Sequence, residues 1–340
     1  MRIFCGEQDN AANYYRVRAP LSVVRYRTQH DVHAGRINSG IADGYDVLWL
    51  QQHADPTTEL IAYEFQQNGG QVVYDVDDWL FGLPASWPCY DHYFIRGTGQ
   101  PRDRLIFHER LLRRASVITC STEYLAHKLE EYLGLTAEIV KVLPNCILMG
   151  DWDVIPEVGH ELDGPVLGWF GTENHWDDWW EITPAVDEAL EKCNGHLALI
   201  GSPELVSMFS PRLAARTQIH DLVKMRDFDQ IRRLIKTFDV GLAWCTDRTE
   251  ASKCRSPLKA FQYGAAGVPV VASRTVYGNL QKFAGEFGVI ADDADNLLST
   301  LLEAFENLDL MKQRAAKWKQ EVWTSHSYET QALRWLEVLE

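Results

Sequence analysis

The sequence predicts an α/β architecture of two doubly wound domains facing a cleft, and three observations carry that prediction. Short β-rich runs alternate with longer helical patterns along all 340 residues. Most of those runs are continuously apolar rather than alternating, as strands covered by helices on both faces are. One aperiodic polar stretch, residues 149–164 (MGDWDVIPEVGHELDG), holds a proline and three glycines and reads as a linker. A chain of this length accommodates two ordinary domains. The boundary is placed near residue 155, with domains at 1–155 and from 156 onward.

In the first half, strands are expected at residues 2–5, 46–50, 71–74, 116–120 and 138–143. In the second half they are expected at residues 166–169, 197–200, 217–221, 239–243, 268–272 and 288–291. Between them, Thr183 followed by Pro184 predicts a helix start, a cap and then a first-turn proline, with Val186, Ala189, Leu190 and Cys193 on one face. The last helix, from about Ser327, places Ala332, Trp335, Leu336 and Leu339 on one face. No repeat of 20–50 residues and no low-complexity tract interrupts this order.

Composition excludes some functions. Lys plus Arg is 33 against 48 for Asp plus Glu, a net charge of −15, which argues against a groove-tracking nucleic-acid binder. Up to residue 155 there are 14 basic and 20 acidic residues, and beyond it 19 and 28, so neither half conceals a basic domain. Seven cysteines, an odd number with no Cys-x-x-Cys pair, point to free thiols in a reducing compartment rather than a disulfide frame or zinc ribbon. The opening MRIFCGEQD is too short in apolar residues for a signal peptide. No uncharged stretch approaches the ~18 residues of a membrane span. A cytoplasmic, soluble protein is expected. Twelve tryptophans suggest aromatic cleft walls, or simply core packing.

The most informative stretch is residues 250–273, EASKCRSPLKAFQYGAAGVPVVAS. Ser256 and Pro257 read as a capped helix start. Leu258, Phe261 and Ala265 share a face expected to pack on the sheet, and Ser256, Lys259 and Gln262 share another. Gly267 ends the helix before the buried strand VPVVAS. A helix amino end offers unpaired N–H groups and partial positive charge. Arg255 and Lys259 add two full charges within a turn, which suits a diphosphate, and Gln262 is placed to bond a ribose. The plainer alternative is a surface helix with a solvated lysine.

Three further clusters stand out. In GWFGTENHWDDWW (168–180), Gly171 and Thr172 let backbone approach a phosphate, and His175 stands among acidic and aromatic neighbours; the alternative is a helix start capped by Asp177 or Asp178. Asp75, Asp77 and Asp78 follow a strand, where α/β sheets place their sites. Asp77 or Asp78 is a candidate catalytic base or hydroxyl-orienter, and a solvated acidic turn is the alternative. His53, at another strand end, is a candidate for the same cleft. Residues 96–114 carry six arginines, a local basic face or a solvated helix. No Gly-x-Gly-x-x-Gly follows the first strand, so a dehydrogenase is not indicated.

Lys259-Ala-Phe-Gln262-Tyr263 followed by Gly267-Val-Pro-Val resembles the donor-binding helix of GT-B glycosyltransferases, in the branch with Lys-x-x-Glu-Tyr before a Gly-x-Pro-Val-Val strand. Arg255-Ser256 looks like that branch's Lys-Ser pair. Tyr15-Arg16, Tyr74-Asp75-Val-Asp77-Asp78-Trp79, Val142-Leu-Pro144-Asn145 and Gly168-Trp-Phe-Gly171-Thr172 are similar to its other motifs, in the same order. The resemblance implies two Rossmann-like domains, the second at 156–322, and a C-terminal helix at 323–340 packing back on the first. It implies a nucleotide diphospho-sugar, UDP-sugar foremost, held by Gly171, Thr172, His175, Arg255, Ser256, Lys259 and Gln262. It places Tyr15, Arg16 and Asp75 on the acceptor side, where His53 is also assigned by its strand-end position. It implies no metal and no cofactor, and favours retention of configuration. The Glu-x7-Glu of retaining members is replaced by Cys254 and Gln262, leaving Glu250 as a substitute acid.

The expected function is therefore transfer of a sugar to an acceptor hydroxyl. Similarity to phage and bacterial enzymes makes a hydroxymethylated DNA base, a virion protein or a surface glycan candidate acceptors. A nucleotide-sugar epimerase of the same fold and a non-catalytic sugar-nucleotide-binding module are the alternatives.

Overall fold

The computed structural model describes all residues except 9, 39, 42–43, 157–158, 223–227, 281 and 340. Two six-stranded, all-parallel sheets form the frame. The first holds β1 (Arg2–Gly6), β2 (Asp31–Gly35), β3 (Val47–Gln51), β4 (Gln71–Val76), β7 (Val117–Cys120) and β8 (Val140–Val142) in the order β2-β1-β3-β4-β7-β8. A two-stranded antiparallel hairpin, β5 (Phe94–Ile95) and β6 (Gln100–Pro101), interrupts it in sequence. The second sheet holds β9 (Val166–Phe170), β10 (His196–Gly201), β11 (Thr217–Asp221), β12 (Val240–Ala243), β13 (Val270–Ser273) and β14 (Val289–Ala291), in the order β11-β10-β9-β12-β13-β14.

Every expected strand is present, within a residue or two at its ends. The central ones are apolar because helices cover both faces: β3, β12 and β13 are buried throughout. β2 and the hairpin were not expected. β2 is an edge strand with only Val32 buried, so it carries no apolar run to recognise. The two strand orders differ. The second is the 3-2-1-4-5-6 order of dinucleotide-binding folds, with its switch point between β9 and β12, while the first follows the flavodoxin-like order and switches between β1 and β3. Both switch points open at the carboxyl ends of their strands.

Several local expectations are corrected. The helix expected to begin at Thr183 runs from Trp176 to Lys192 with Pro184 inside it. Thr183 donates its hydroxyl to the Trp179 carbonyl, and the carbonyl that Pro184 cannot serve belongs to Trp180, on the exposed side where water reaches it. Residues 149–164 are not a loose tether, although Glu157 and Val158 lie outside the described residues. Gly150–Asp153 is helical, and Ile147, Met149 and Trp152 sink into the second domain's core beside Ile235 and Phe261.

The helix Leu308–Ser325 packs Trp318 against Gly264, where a Cβ would stand 2.5 Å from the indole. The chain then returns. Ile147 and Ser327 pair as a parallel bridge, so the two interdomain crossings run side by side. Tyr328, Ala332, Trp335 and Leu336 are buried with Ile3, Val47 and Trp49 of the first domain.

Candidate functional site

The helix Leu258–Ala266 sits at the second sheet's switch point. Its sheet-facing residue is Tyr263, whose ring covers Gly241 and whose hydroxyl donates to the Leu242 carbonyl at 3.1 Å. Phe261 was expected on that face. It stacks instead on His326, with ring centroids 4.3 Å apart. Ser256 is not the cap, since Pro257 holds that position and the Ser256 hydroxyl accepts from Asn145 at 2.8 Å. The first turn leaves amide N–H groups without intrahelical acceptors.

Arg255 and Lys259 point into the cleft and are largely buried. Arg255 donates to Asp178 (3.0 Å) and to the Asn174 carbonyl (2.7 Å), with its guanidinium 4.5 Å from the Trp87 ring centroid. Lys259 Nζ lies 2.7 Å from His175 Nε2 and 5.0 Å from the Trp169 ring centroid. His175 Nδ1 is 2.5 Å from Asp178, which also accepts the Thr246 amide. Nδ1 also lies 2.6 Å from Arg255 Nη1, so it stands between a donor-only guanidinium and the Asp178 carboxylate, while Nε2 accepts from the ammonium. Burial, with Arg255 and Lys259 beside it, pushes His175 down to about 3. Burial and the Arg255 charge push Lys259 down to about 8. Burial works against an ionised Asp178, but His175 and Arg255 outweigh it and hold that carboxyl below the usual range. Gly171 is required by close packing, since a Cβ there would stand 2.7 Å from the Trp169 ring and 3.1 Å from His175.

The opposite wall comes from the first domain. Asp77 accepts from Asn145 Nδ2 at 3.0 Å. Asn145 in turn accepts from Arg16 (3.1 Å), and Arg16 closes on Asp75 at 2.6 Å, with both side chains fully buried. Asn145 therefore joins the buried pair, the acidic turn and Ser256 of the other domain. Asp78 opens to the cavity. Desolvation there and the neighbouring Asp77 push it up to about 6, against the pull of Arg255.

Gly171, Thr172, His175, Arg255, Ser256, Lys259 and Gln262 line one cavity of about 330 Å³, together with Asp77 and Asp78. Four other candidates do not. Arg16 and Asp75 are a structural pair behind the wall. Tyr15 is buried and accepts from Gln262 Nε2 at 2.5 Å. His53 is packed against Gly6, and burial pushes it down to about 4. It belongs to a separate group at the β1/β3 switch point, where Asn13 Oδ1, Gln51 Oε1, Gln52 Nε2 and His53 Nδ1 are buried without partners among the described residues. Glu250 binds Tyr124, Lys128 and Lys253, and Cys254 is buried in the first domain's core, so neither lines the cavity. The arginines of 96–114 are mostly engaged: Arg96 with Asp91, Arg110 with Glu59, Arg113 with Glu109, and Arg104 and Arg114 over Tyr93 and Tyr63.

Sequence reasoning missed Leu80, Leu83, Trp87, Cys89 and Tyr93, which cover the cavity from the first domain. Their stretch, WLFGLPASWPCYDHY, has no period, and its aromatic density was its only signal. Among the described residues, no group of three or more His, Cys, Asp or Glu has metal-ligand geometry, and no helix is long and apolar enough to cross a membrane.

No protein-family model matches the chain, and no curated protein matches it in sequence. Solved structures do. Sucrose-phosphate synthase from Thermosynechococcus elongatus superposes with a TM-score of 0.66 at 12% identity, over 100% of this chain and 98% of that one. HepE from Anabaena, solved with UDP and glucose, gives 0.64 at 15% identity, over 100% and 99%. TarM from S. aureus gives 0.58 at 10% identity over 86% of this chain, which spans 55% of TarM. The fold is GT-B: two Rossmann-like domains across a cleft, the architecture of these glycosyltransferases.

Proposed function

We propose that the chain is a glycosyltransferase moving a hexose-like sugar from a nucleotide diphospho-sugar, UDP-sugar foremost, to an acceptor hydroxyl. One observation carries the reading: Arg255, Lys259 and the amino end of Leu258–Ala266 converge in a cleft opposite Asp77 and Asp78. Charge that develops on a departing diphosphate would meet two cations and oriented amide groups fixed beforehand. A planar guanidinium and a compact ammonium divide that work, the first by paired N–H donation and the second as a point charge. With charge neutralised this way, transfer needs no divalent ion. Thr172 and Gly171 bring backbone to the same group, and Gln262 faces the sugar or ribose. Asp78, near 6, is poised to orient the acceptor hydroxyl and take its proton near neutral pH.

The acidic wall and the net charge of −15 favour an uncharged, hydroxyl-bearing acceptor such as a glycan over DNA. The unpartnered amides and imidazole at the β1/β3 switch point are likewise neutral donors and acceptors suited to hydroxyls. Retention follows the sequence resemblance. Calorimetry against UDP-, GDP- and dTDP-sugars and the bare diphosphates, with and without EDTA, tests the reading. One nucleoside diphosphate should bind with its affinity unaffected by chelation; binding of none would remove the donor assignment. An epimerase of this fold would turn over its nucleotide-sugar to a stereoisomer with no acceptor present, and a binding module would show neither transfer nor slow hydrolysis.

A further inference from the structure

The segment between β4 and β5 crosses the cleft. It is anchored at both ends on its own domain: Phe81 stacks on Tyr132, and Arg104 of the helix Asp103–Arg114 lies over the Tyr93 ring, while Arg96 ties the segment together through Asp91 and the Ala85 carbonyl. Pro84 and Pro88 flank a tight turn in which the Trp87 amide bonds the Pro84 carbonyl at 3.0 Å. From that turn two groups reach the second domain. Trp87 Nε1 and the Ser86 hydroxyl both donate to Asp177, at 2.9 and 3.0 Å. The Trp87 ring also faces the Arg255 guanidinium. The indole is thus held by its edge and by its face, both times across the domain boundary, and it is only 3% exposed. Leu80, Leu83 and Tyr93 continue the cover beside it, and Ala251 of the second domain packs into the same apolar cluster.

We propose that residues 80–93 are a gate over the reaction cavity and that Trp87 is its latch and the positioning residue for Arg255. The proposal rests on the donor reading above. The indole holds the guanidinium against the His175–Asp178 side of the cavity, where the diphosphate is expected, and the same contact shuts out water. Separation of the domains breaks the Asp177 bonds and the ring contact together, leaving Arg255 to Asp178 and the Asn174 carbonyl of its own domain, so the guanidinium is held on all sides only when the cavity is covered. An uncovered cavity admits the competing reaction. There a water oxygen bonds the anomeric carbon as the bond from that carbon to the diphosphate oxygen breaks, the diphosphate leaves with the electron pair, and the proton passes to Asp78 or solvent.

The test compares wild type with Trp87→Ala, Trp87→Phe and Asp177→Ala, reading donor hydrolysis and transfer separately. Hydrogen exchange of residues 80–93 and the melting temperature complete the set. Trp87→Ala should raise the hydrolysis-to-transfer ratio about tenfold and weaken UDP binding several-fold through Arg255. Trp87→Phe keeps a ring over Arg255 but loses the N–H. It should resemble Asp177→Ala, with faster exchange in 80–93, a smaller rise in hydrolysis and near wild-type UDP affinity. An unchanged partition in Trp87→Ala, or unchanged exchange in Asp177→Ala, overturns the gate. If wild type turns over no nucleotide-sugar, the donor reading fails; exchange then still decides whether Asp177 latches the segment.

Discussion

The two walls of the cleft are built on opposite plans. The second domain's wall takes its chemistry from two short segments, 171–178 and 255–262, and presents cations. The first domain's wall presents carboxylates and an aromatic cover, and its geometry rests on Arg16, Asp75, Thr119 and Asn145, which are distant in sequence and buried. The difference teaches where selectivity resides. An anion site needs charges at one helix end, so a few adjacent residues suffice. A wall that handles hydroxyls must hold carboxylates still without neutralising them, and a buried network does that from behind.

The most severe way to break this contrast is to remove the network. Arg16→Met leaves the Asp75 carboxylate buried and unpaired, although Thr119 still donates to it at 2.6 Å. Breaking such a pair costs about 3–5 kcal/mol, which for a domain of this size lowers its unfolding temperature by roughly 10 °C. Calorimetric scanning should show the first domain melting early while the second still binds diphosphate. Unchanged melting with lost transfer would instead make Arg16 part of the acceptor site and erase the distinction between the walls.

The second wall should respond in the opposite sense. Arg255→Ala and Lys259→Ala should each weaken nucleoside diphosphate binding by about 10- to 100-fold, the worth of one charge-assisted contact. Lys259→Ala should lower stability little, but Arg255→Ala takes the guanidinium away from the buried Asp178 carboxylate and should lower the melting temperature as well. Lys259 is held below its ordinary value, so below its unfolded value near 10.5 its charge opposes folding, and Lys259→Met should melt at or above wild type. Calorimetry and thermal scanning together check both signs.

This contrast also explains what the sequence disclosed. Strands such as β3 and β13 were legible because burial on both faces writes an uninterrupted apolar run. The residues of 255–262 were legible because helical spacing puts Lys259 and Gln262 on one face and the Ser-Pro pair marks where that helix begins. Arg16 and Asp75 were legible as a motif and not as a pair, since their 2.6 Å contact spans 59 residues of separation. Trp87 lay in a stretch with no period, and its partners Asp177 and Arg255 come from the other domain. Cross-domain contacts leave no local pattern to read.

The pH dependence sharpens the comparison, because each wall titrates on its own side of neutrality. Asp78 must lose its proton to act as a base, so transfer should rise with pH through about 6. Lys259 sits near 8 without ligand, and a bound diphosphate favours its charged form. Below that value binding takes up no proton. Above it each binding event captures one, and affinity falls toward tenfold per pH unit. Calorimetry at pH 9 in buffers of different ionisation enthalpy should detect that uptake, and Lys259→Arg should abolish it.

The smallest effect expected tests a direct contact between the two halves at the deep end of the cavity. Gln262 lines the cavity and donates to the Tyr15 hydroxyl, which reaches across from the first domain. Tyr15→Phe keeps the buried ring and removes only the acceptor. Stability should fall by about 1 kcal/mol, the usual net worth of a hydrogen bond. The freed amide can turn toward ligand or away from it. The binding consequence should therefore appear with the intact nucleotide-sugar and not with the bare diphosphate, whose contacts lie a turn earlier at Arg255 and Lys259. Calorimetry with both ligands separates the cases: an equal loss for each would place Gln262 at the phosphates and move the boundary between the two walls.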